Sequence, residues 1–190
     1  EVLVMRDSSG TMMNLAMVEN LDPIGIHAGD SVAVTPAQTL MDREIQDIRN
    51  VAFAITRRLR IVGVNHVQFA LDQEHQRFYV IKNSPYFDRI ASFVEVATGY
   101  PVATVCGHLY AGQLLRNIKL GPKYSRHLAL TEPVMDRTAV RLPTFPIESL
   151  PGQRWELQTE KQSVGSVIGI GRSFLEAIIK GAAAYYTPTN

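Results

Sequence analysis

A single cysteine in 190 residues leaves no internal disulfide and no cysteine-rich zinc site. Cys106 sits in the apolar run Val102-Ala103-Thr104-Val105-Cys106 and is expected to be a buried packing residue. A reducing, cytoplasmic setting fits that usage. No apolar run reaches the roughly 18 residues a membrane-spanning helix needs, and no signal-peptide pattern opens the chain, so no membrane partner is expected. Charge of one sign is also scarce. Nineteen basic against 18 acidic residues give a formal net charge of +1, which supplies no bulk electrostatic reason to expect nucleic acid as a partner. The short clusters Arg57-Arg58-Leu59-Arg60 and Lys119 to Arg126 read as solvated faces. The five histidines form no His-x-x-x-His pair and no Cys/His ligand spacing, so zinc is not expected. "SVGSVIGIGRS" (163–173) is glycine-rich but lacks the Gly-Lys-Ser/Thr ending of a phosphate-binding loop and the dinucleotide glycine spacing. A tight strand-to-helix turn is expected there. An initiator Met is missing and the chain begins inside a predicted strand, Val2 to Met5, as a piece of a longer product would.

What is present is enough apolar chain, 46% of residues, to bury a sizeable core in one compact domain or one lobe of a larger protein. Two β-like runs, Glu1–Asp7 and Thr11–Glu19, flank Ser8-Ser9-Gly10 as a hairpin. Asn20 to Thr35 reads as loop. Met41, Ile45, Ile48, Ala52, Ile55 and Leu59 recur at helical spacing, with Thr39 and Asp42 as a capping pair. Val64–Leu71 and Phe78–Ile81 form a second hairpin around the polar turn Asp72 to Gln76. Helices are expected over Asp88–Thr98 and from Pro101 to about Leu115, then an irregular stretch to Leu130. Strands are expected over Met135–Leu142 and Val164–Ile170. Ser173 with Glu176 caps a last helix. The pattern predicts an α+β lobe, a mostly antiparallel sheet with helices packed on it.

Two polar stretches stand out. Strand Phe78–Ile81 empties into Lys82-Asn83-Ser84-Pro85, a polar loop in a position where α/β folds often carry chemistry. "ENLDPIGIHAGDS" (19–31) could present backbone groups around Ile26-His27 to a ligand, or be an ordinary loop. A Ser-His-Asp nucleophile stays open, although no nucleophile elbow is present.

The stretches "ENLDPIGIHAGDSVAVTPAQTL" (19–40), "VQFAL" (67–71), "ATGYPVA" (97–103) and "SVGSVIGIGRSFLEA" (163–177) occur in order and together resemble the large chain of carbamoyl-phosphate synthetase. The resemblance spans essentially the whole chain. It implies the second half of an ATP-grasp domain, with the preceding lobe outside residues 1–190. The "GIHAGDS…PAQTL" form is closer to the amino-terminal, carboxyphosphate-forming half. In that family MgATP phosphorylates bicarbonate, and ammonia from a glutaminase small chain or domain converts the product to carbamate. The expected partners are therefore the rest of the large chain and that glutaminase.

Residue by residue, the resemblance implies that Gly25, Ile26 and His27 lie on the nucleotide. It implies that Gln68 binds metal and nucleotide, although a strand glutamine could equally face solvent. The family's Glu-x-Asn-Pro-Arg, whose Glu and Asn bind Mg²⁺, is matched here by Lys82-Asn83-Ser84-Pro85-Tyr86. Lys82 replaces the metal carboxylate, Ser84 the asparagine and Tyr86 an arginine. Arg89 matches a second family arginine, which makes it a candidate catalytic residue. Ser166 stands for a family glutamate and Leu3 for an early acidic residue. Three readings follow: a segment of the synthetase that is inactive by itself; a degenerate half kept for scaffolding, subunit contact or regulatory nucleotide binding; and a biotin carboxylase-like ligase, which the Ala-Gly-Asp-Ser and Pro-Ala-Gln-Thr-Leu stretches fit less well.

Overall fold

The computed structural model describes residues 1–72, 74–75, 77–122, 127–147 and 156–186. The chain forms two compact units, each made of two segments: Glu1–Met17 with Thr39–Val134, and Val18–Gln38 with Met135–Asn190. Each carries a four-stranded sheet, and every pairing within the two sheets is antiparallel.

In the first unit the order is β2 (Met12–Met17), β1 (Val2–Arg6), β5 (Gly63–Asp72) and β6 (Arg77–Ser84). Side chains alternate across the pleat. Val4 pairs with Asn65 and Val2 with Val67 on one face; Leu3 pairs with His66 and Met5 with Val64 on the other. Helix α1 (Asp42–Arg58) covers the first face, where Thr56 Oγ1 accepts a buried hydrogen bond from Asn65 Nδ2 at 2.8 Å. The second face meets α2 (Arg89–Thr98) and the segment after it, with Tyr100 Oη 3.7 Å from Met5 Sδ. α2 ends as the sequence indicates, on Gly99 at φ 70°. α3 (Val102–Tyr110) buries Val102, Val105, Cys106 and Leu109 and stops short of the expected Leu115, which opens a separate 3₁₀ turn. Cys106 is buried, as expected.

Asp7 ties the first hairpin down. Its Oδ1 accepts from the Ser9 hydroxyl and from the amides of Ser9 and Thr11, and its Oδ2 accepts from Leu115 N at 3.1 Å. Burial pushes its carboxyl up, but these hydrogen bonds outweigh burial and hold it below the ordinary value of 3.8.

The second unit orders β3 (Glu19–Asn20), β4 (Ala33–Thr35), β7 (Thr138–Thr144) and β8 (Gly165–Gly171). Helix α4 (Phe174–Tyr186) packs on β7 and β8 around Val34, Val140 and Ala177. Glycine permits that packing. A Cβ on Gly169 would collide with the Ala177 carbonyl, and one on Gly171 would lie 2.7 Å from Ala177 N.

Four expectations are corrected. The stretch Asn20 to Thr35 is not all loop, because Ala33–Thr35 pairs with β7. The cap of α1 falls on Met41, whose N–H donates to Glu44 Oε2 at 2.8 Å, rather than on Thr39 with Asp42. At α4, Ser173 Oγ accepts from Glu176 N, but the Glu176 carboxylate turns to Arg172 N instead of closing the box on Ser173. Finally, Lys82, Asn83 and Ser84 are not loop: ladder pairing with β5 carries β6 through Ser84. The stretch Lys119 to Arg126 lies partly outside the described residues, as do Gln73 and Gln76 of the expected Asp72–Gln76 turn.

Candidate functional site

The sequence-predicted residues divide between the two units. Gly25, Ile26, His27 and Ser166 belong to the second; Leu3, Gln68, Lys82, Ser84, Tyr86 and Arg89 belong to the first.

In the second unit the Gly25–Ser31 loop is closed by its own backbone. Ile26 N donates to Pro23 O and Asp30 N donates to His27 O. Gly25 is exposed at φ 112°, a conformation that favours glycine. Gly29 N donates to His27 Nδ1 at 3.0 Å, so the neutral imidazole carries its proton on Nε2. Asp30, 1% exposed, joins this loop to the strand that follows Gln162. Its two oxygens accept from Gln162 N (2.7 Å) and Ser163 N (2.9 Å), while Ser163 Oγ donates to Gly29 O. Burial raises the Asp30 carboxyl, and the hydrogen bonds of Ser163 and Gln162 outweigh it, leaving the group below its ordinary value. The buried Arg141 donates to Ala28 O and Ser31 O. Two stretches that looked separate in sequence, "GIHAGDS" and "SVGS", are thus one hydrogen-bonded structure. Ser166 lies exposed on β8 opposite Pro143.

In the first unit, Gln68 pairs with Lys82 and His66 with Ser84 across the β5–β6 ladder. The register shifts between Gln68 and Phe69, which face Lys82 and Val80, so Ile81 is an extra residue in β6. The bulge changes the phase of the strand. Phe78 and Val80 share the face of Phe69, whose ring meets that of Phe78 edge-on at 5.9 Å. Lys82 and Ser84 share the opposite face with Gln68 and His66. Leu3 is fully buried on this face beside His66. Tyr86 is exposed, and Arg89 is the first residue of α2.

Three polar residues beside this face carried no local sequence signal for the site. His66 Nδ1 lies 2.7 Å from Asp88 Oδ2, and His66 Nε2 lies 3.7 Å from Glu1 Oε2. Asp88 Oδ1 accepts from Ile90 N and Ala91 N, the N-cap of α2. Burial raises the Asp88 carboxyl, and the hydrogen bond and charge of His66 outweigh it, leaving the group below its ordinary value. Only the cap was readable in advance, from an aspartate at the start of a helical pattern.

Mg²⁺ needs hard oxygen donors, carboxylates above all. Around the Gln68–Lys82 pair the face offers a carboxamide, an ammonium and a hydroxyl, and the Asp88 and Glu1 carboxylates lie against the His66 imidazole instead. A protonated lysine cannot ligate a cation. The donor set does not fit the ion. Among the described residues no group of three or more His, Cys, Asp or Glu side chains is placed to hold a metal.

Residues 1–118 match the family described as carbamoyl-phosphate synthase L chain, ATP binding domain. The chain is 42% identical over 183 residues to the carbamoyl phosphate synthase large chain of Thermotoga maritima, covering 95% of this chain and 16% of that one. To the same protein of Rubrobacter xylanophilus it is 37% identical over 185 residues, covering 97% and 18%. The chain thus spans less than a fifth of the length of the curated relatives it matches. Among solved structures it is similar to the Campylobacter jejuni biotin carboxylase β,γ-ATP complex (TM-score 0.67, 13% identity, covering 94% of this chain and 43% of that one). It is also similar to Rhizobium etli pyruvate carboxylase crystallised without acetyl coenzyme A (TM-score 0.68, 14% identity, 94% and 20%). These two likenesses support the expected fold, an α+β ATP-grasp lobe.

Proposed function

The chain belongs to the carbamoyl-phosphate synthase large-chain family of ATP-binding domains, and from that premise we propose that it is the nucleotide-binding second half of the carboxyphosphate-forming ATP-grasp domain. The observation that supports this most is the Gly25–Ser31 loop. Asp30, Ser163 and the buried Arg141 hold it in one shape. The resemblance implies that Gly25, Ile26 and His27 lie on the nucleotide. A fixed loop meets a ligand with little ordering cost. The parent's reaction is phosphorylation of bicarbonate on the way to carbamoyl phosphate. It would draw ammonia from a glutaminase chain or domain, in the cytoplasm. Half a domain does not assemble that chemistry, so the 190-residue chain by itself binds nucleotide without turning it over. Bicarbonate-dependent ATP hydrolysis by the chain alone would refute this.

A second reading, a non-catalytic half kept for regulatory or structural nucleotide binding, is favoured by one observation: an ammonium faces Gln68 at the position where the resemblance implies a metal-binding carboxylate. Steady-state ATPase assays of the longer parent, with and without Mg²⁺, separate the two. Strict Mg²⁺-dependent turnover excludes the degenerate reading.

A further inference from the structure

The misfit between the β5–β6 face and a divalent cation has a positive counterpart. We propose that Gln68, Lys82 and Ser84 bind a phosphoryl group of a nucleoside triphosphate directly, with the Lys82 ammonium in the place of a metal ion. The inference rests on the nucleotide-binding reading above and concerns residues of the first unit alone.

Three observations carry it. First, the bulge at Ile81 puts Gln68, Lys82, Ser84 and His66 on one face of two paired strands. Without the extra residue, Val80 would share the face of Lys82 and Ser84. Second, Lys82 is exposed, and among the described residues no carboxylate forms an ion pair with it. Its charge is available to an anion. Third, Ser84 is 1% exposed and its Oγ is buried with no hydrogen-bond partner among the described residues. A buried hydroxyl without a partner costs free energy and calls for an explanation, and a bound acceptor oxygen would supply the missing bond.

The acidic groups nearest this face do not cancel the ammonium. Asp88 and Glu1 both lie against the His66 imidazole, at 2.7 and 3.7 Å, and Asp88 is also occupied as the cap of α2. One lysine, one carboxamide and one hydroxyl are an anion-binding set: a point charge with two neutral hydrogen-bond donors around it.

The test is calorimetric titration of the chain with ATP, and separately with sodium triphosphate, in EDTA and in Mg²⁺. The expected result is binding of both in EDTA, weakened about 10- to 100-fold by Lys82→Met, as loss of one charge-assisted contact implies. Lys82 is exposed, so this variant should keep its fold, which circular dichroism verifies. Ser84→Ala removes the buried hydroxyl and should also weaken binding in EDTA. Lys82→Glu with Ser84→Asn should abolish binding in EDTA and leave it dependent on Mg²⁺. If ATP binds only with Mg²⁺, or if folded Lys82→Met binds as wild type in EDTA, the inference falls while the nucleotide-binding reading stands. If ATP binds under neither condition, both fall.

Discussion

Asp88 serves two elements with its two oxygens: Oδ1 caps α2, and Oδ2 meets Nδ1 of His66, a β5 residue, at 2.7 Å. One carboxylate thereby fixes the turn between β6 and α2, the turn that presents Tyr86 and Arg89. Asp88→Ala should destabilise the chain by about 1–2 kcal/mol, cap and cross-link together. His66→Leu should cost less, and a double-mutant cycle should show the two effects to be non-additive. Additive losses in urea unfolding would mean that His66 contributes nothing through Asp88.

Acid should unfold the protein through three aspartates. Asp7 and Asp30 are buried and Asp88 is partly buried, yet all three are held below the ordinary 3.8 by hydrogen bonds. A carboxyl whose folded value is depressed stabilises the native state above its unfolded value and loses that contribution as pH falls through the folded value. The melting temperature should therefore hold near neutrality and drop steeply below about pH 4. Asp7→Asn, which cannot titrate, should be less stable at neutral pH and show a shallower acid limb. An unchanged acid limb would remove Asp7 from the account.

The contact of β8 with α4 leaves no room for a methyl group. Gly169→Ala should lower stability by about 1–3 kcal/mol or prevent folding of the second unit, because the new Cβ meets backbone rather than a side chain that could swing away. Gly112→Ala is a useful comparison: nothing lies within 4 Å of its Cβ, and its cost comes from backbone strain alone at φ 85°. Thermal melts of the two variants test this. Equal small losses would show that the sheet can move to admit the methyl group.

The Cys106 thiol is 3% exposed, and burial pushes it up to about 11. Since the thiolate is the reactive species, native protein should resist a thiol reagent such as DTNB near neutral pH and react fully once denatured. Rapid labelling of the folded chain would mean that α3 opens readily.

The fold was largely legible because its signals are local. The period of α1, the Gly99 stop and the strands of both hairpins are set by neighbouring residues. What was not legible depends on partners distant in sequence. Ala33–Thr35 is only three residues long and becomes strand by pairing with β7. Lys82 to Ser84 look like loop by composition and are strand because β5 runs beside them. A period-two reading of β6 also fails at Ile81, since one extra residue exchanges the faces and nothing in "FYVIKNS" marks it. For the site, the family resemblance supplied the candidates Gly25–His27 and Gln68 and the substitutions around Lys82. It could not reveal that His66, Asp88 and Glu1 stand together, because β5, the α2 cap and the first residue meet only in three dimensions.

Asp30 and Ser163, joined across 133 residues, also set a timetable for biosynthesis. A ribosome adding about 5–20 residues per second emits Asp30 roughly 7–27 seconds before its partner exists. For that interval Val32 and Val34, destined for the core around Ala177, have no α4 to cover them. The second unit therefore matures late, after the long excursion through Thr39–Val134 has emerged, and a nascent chain stalled before Ser163 should remain cleavable by protease at the Gly25–Ser31 loop.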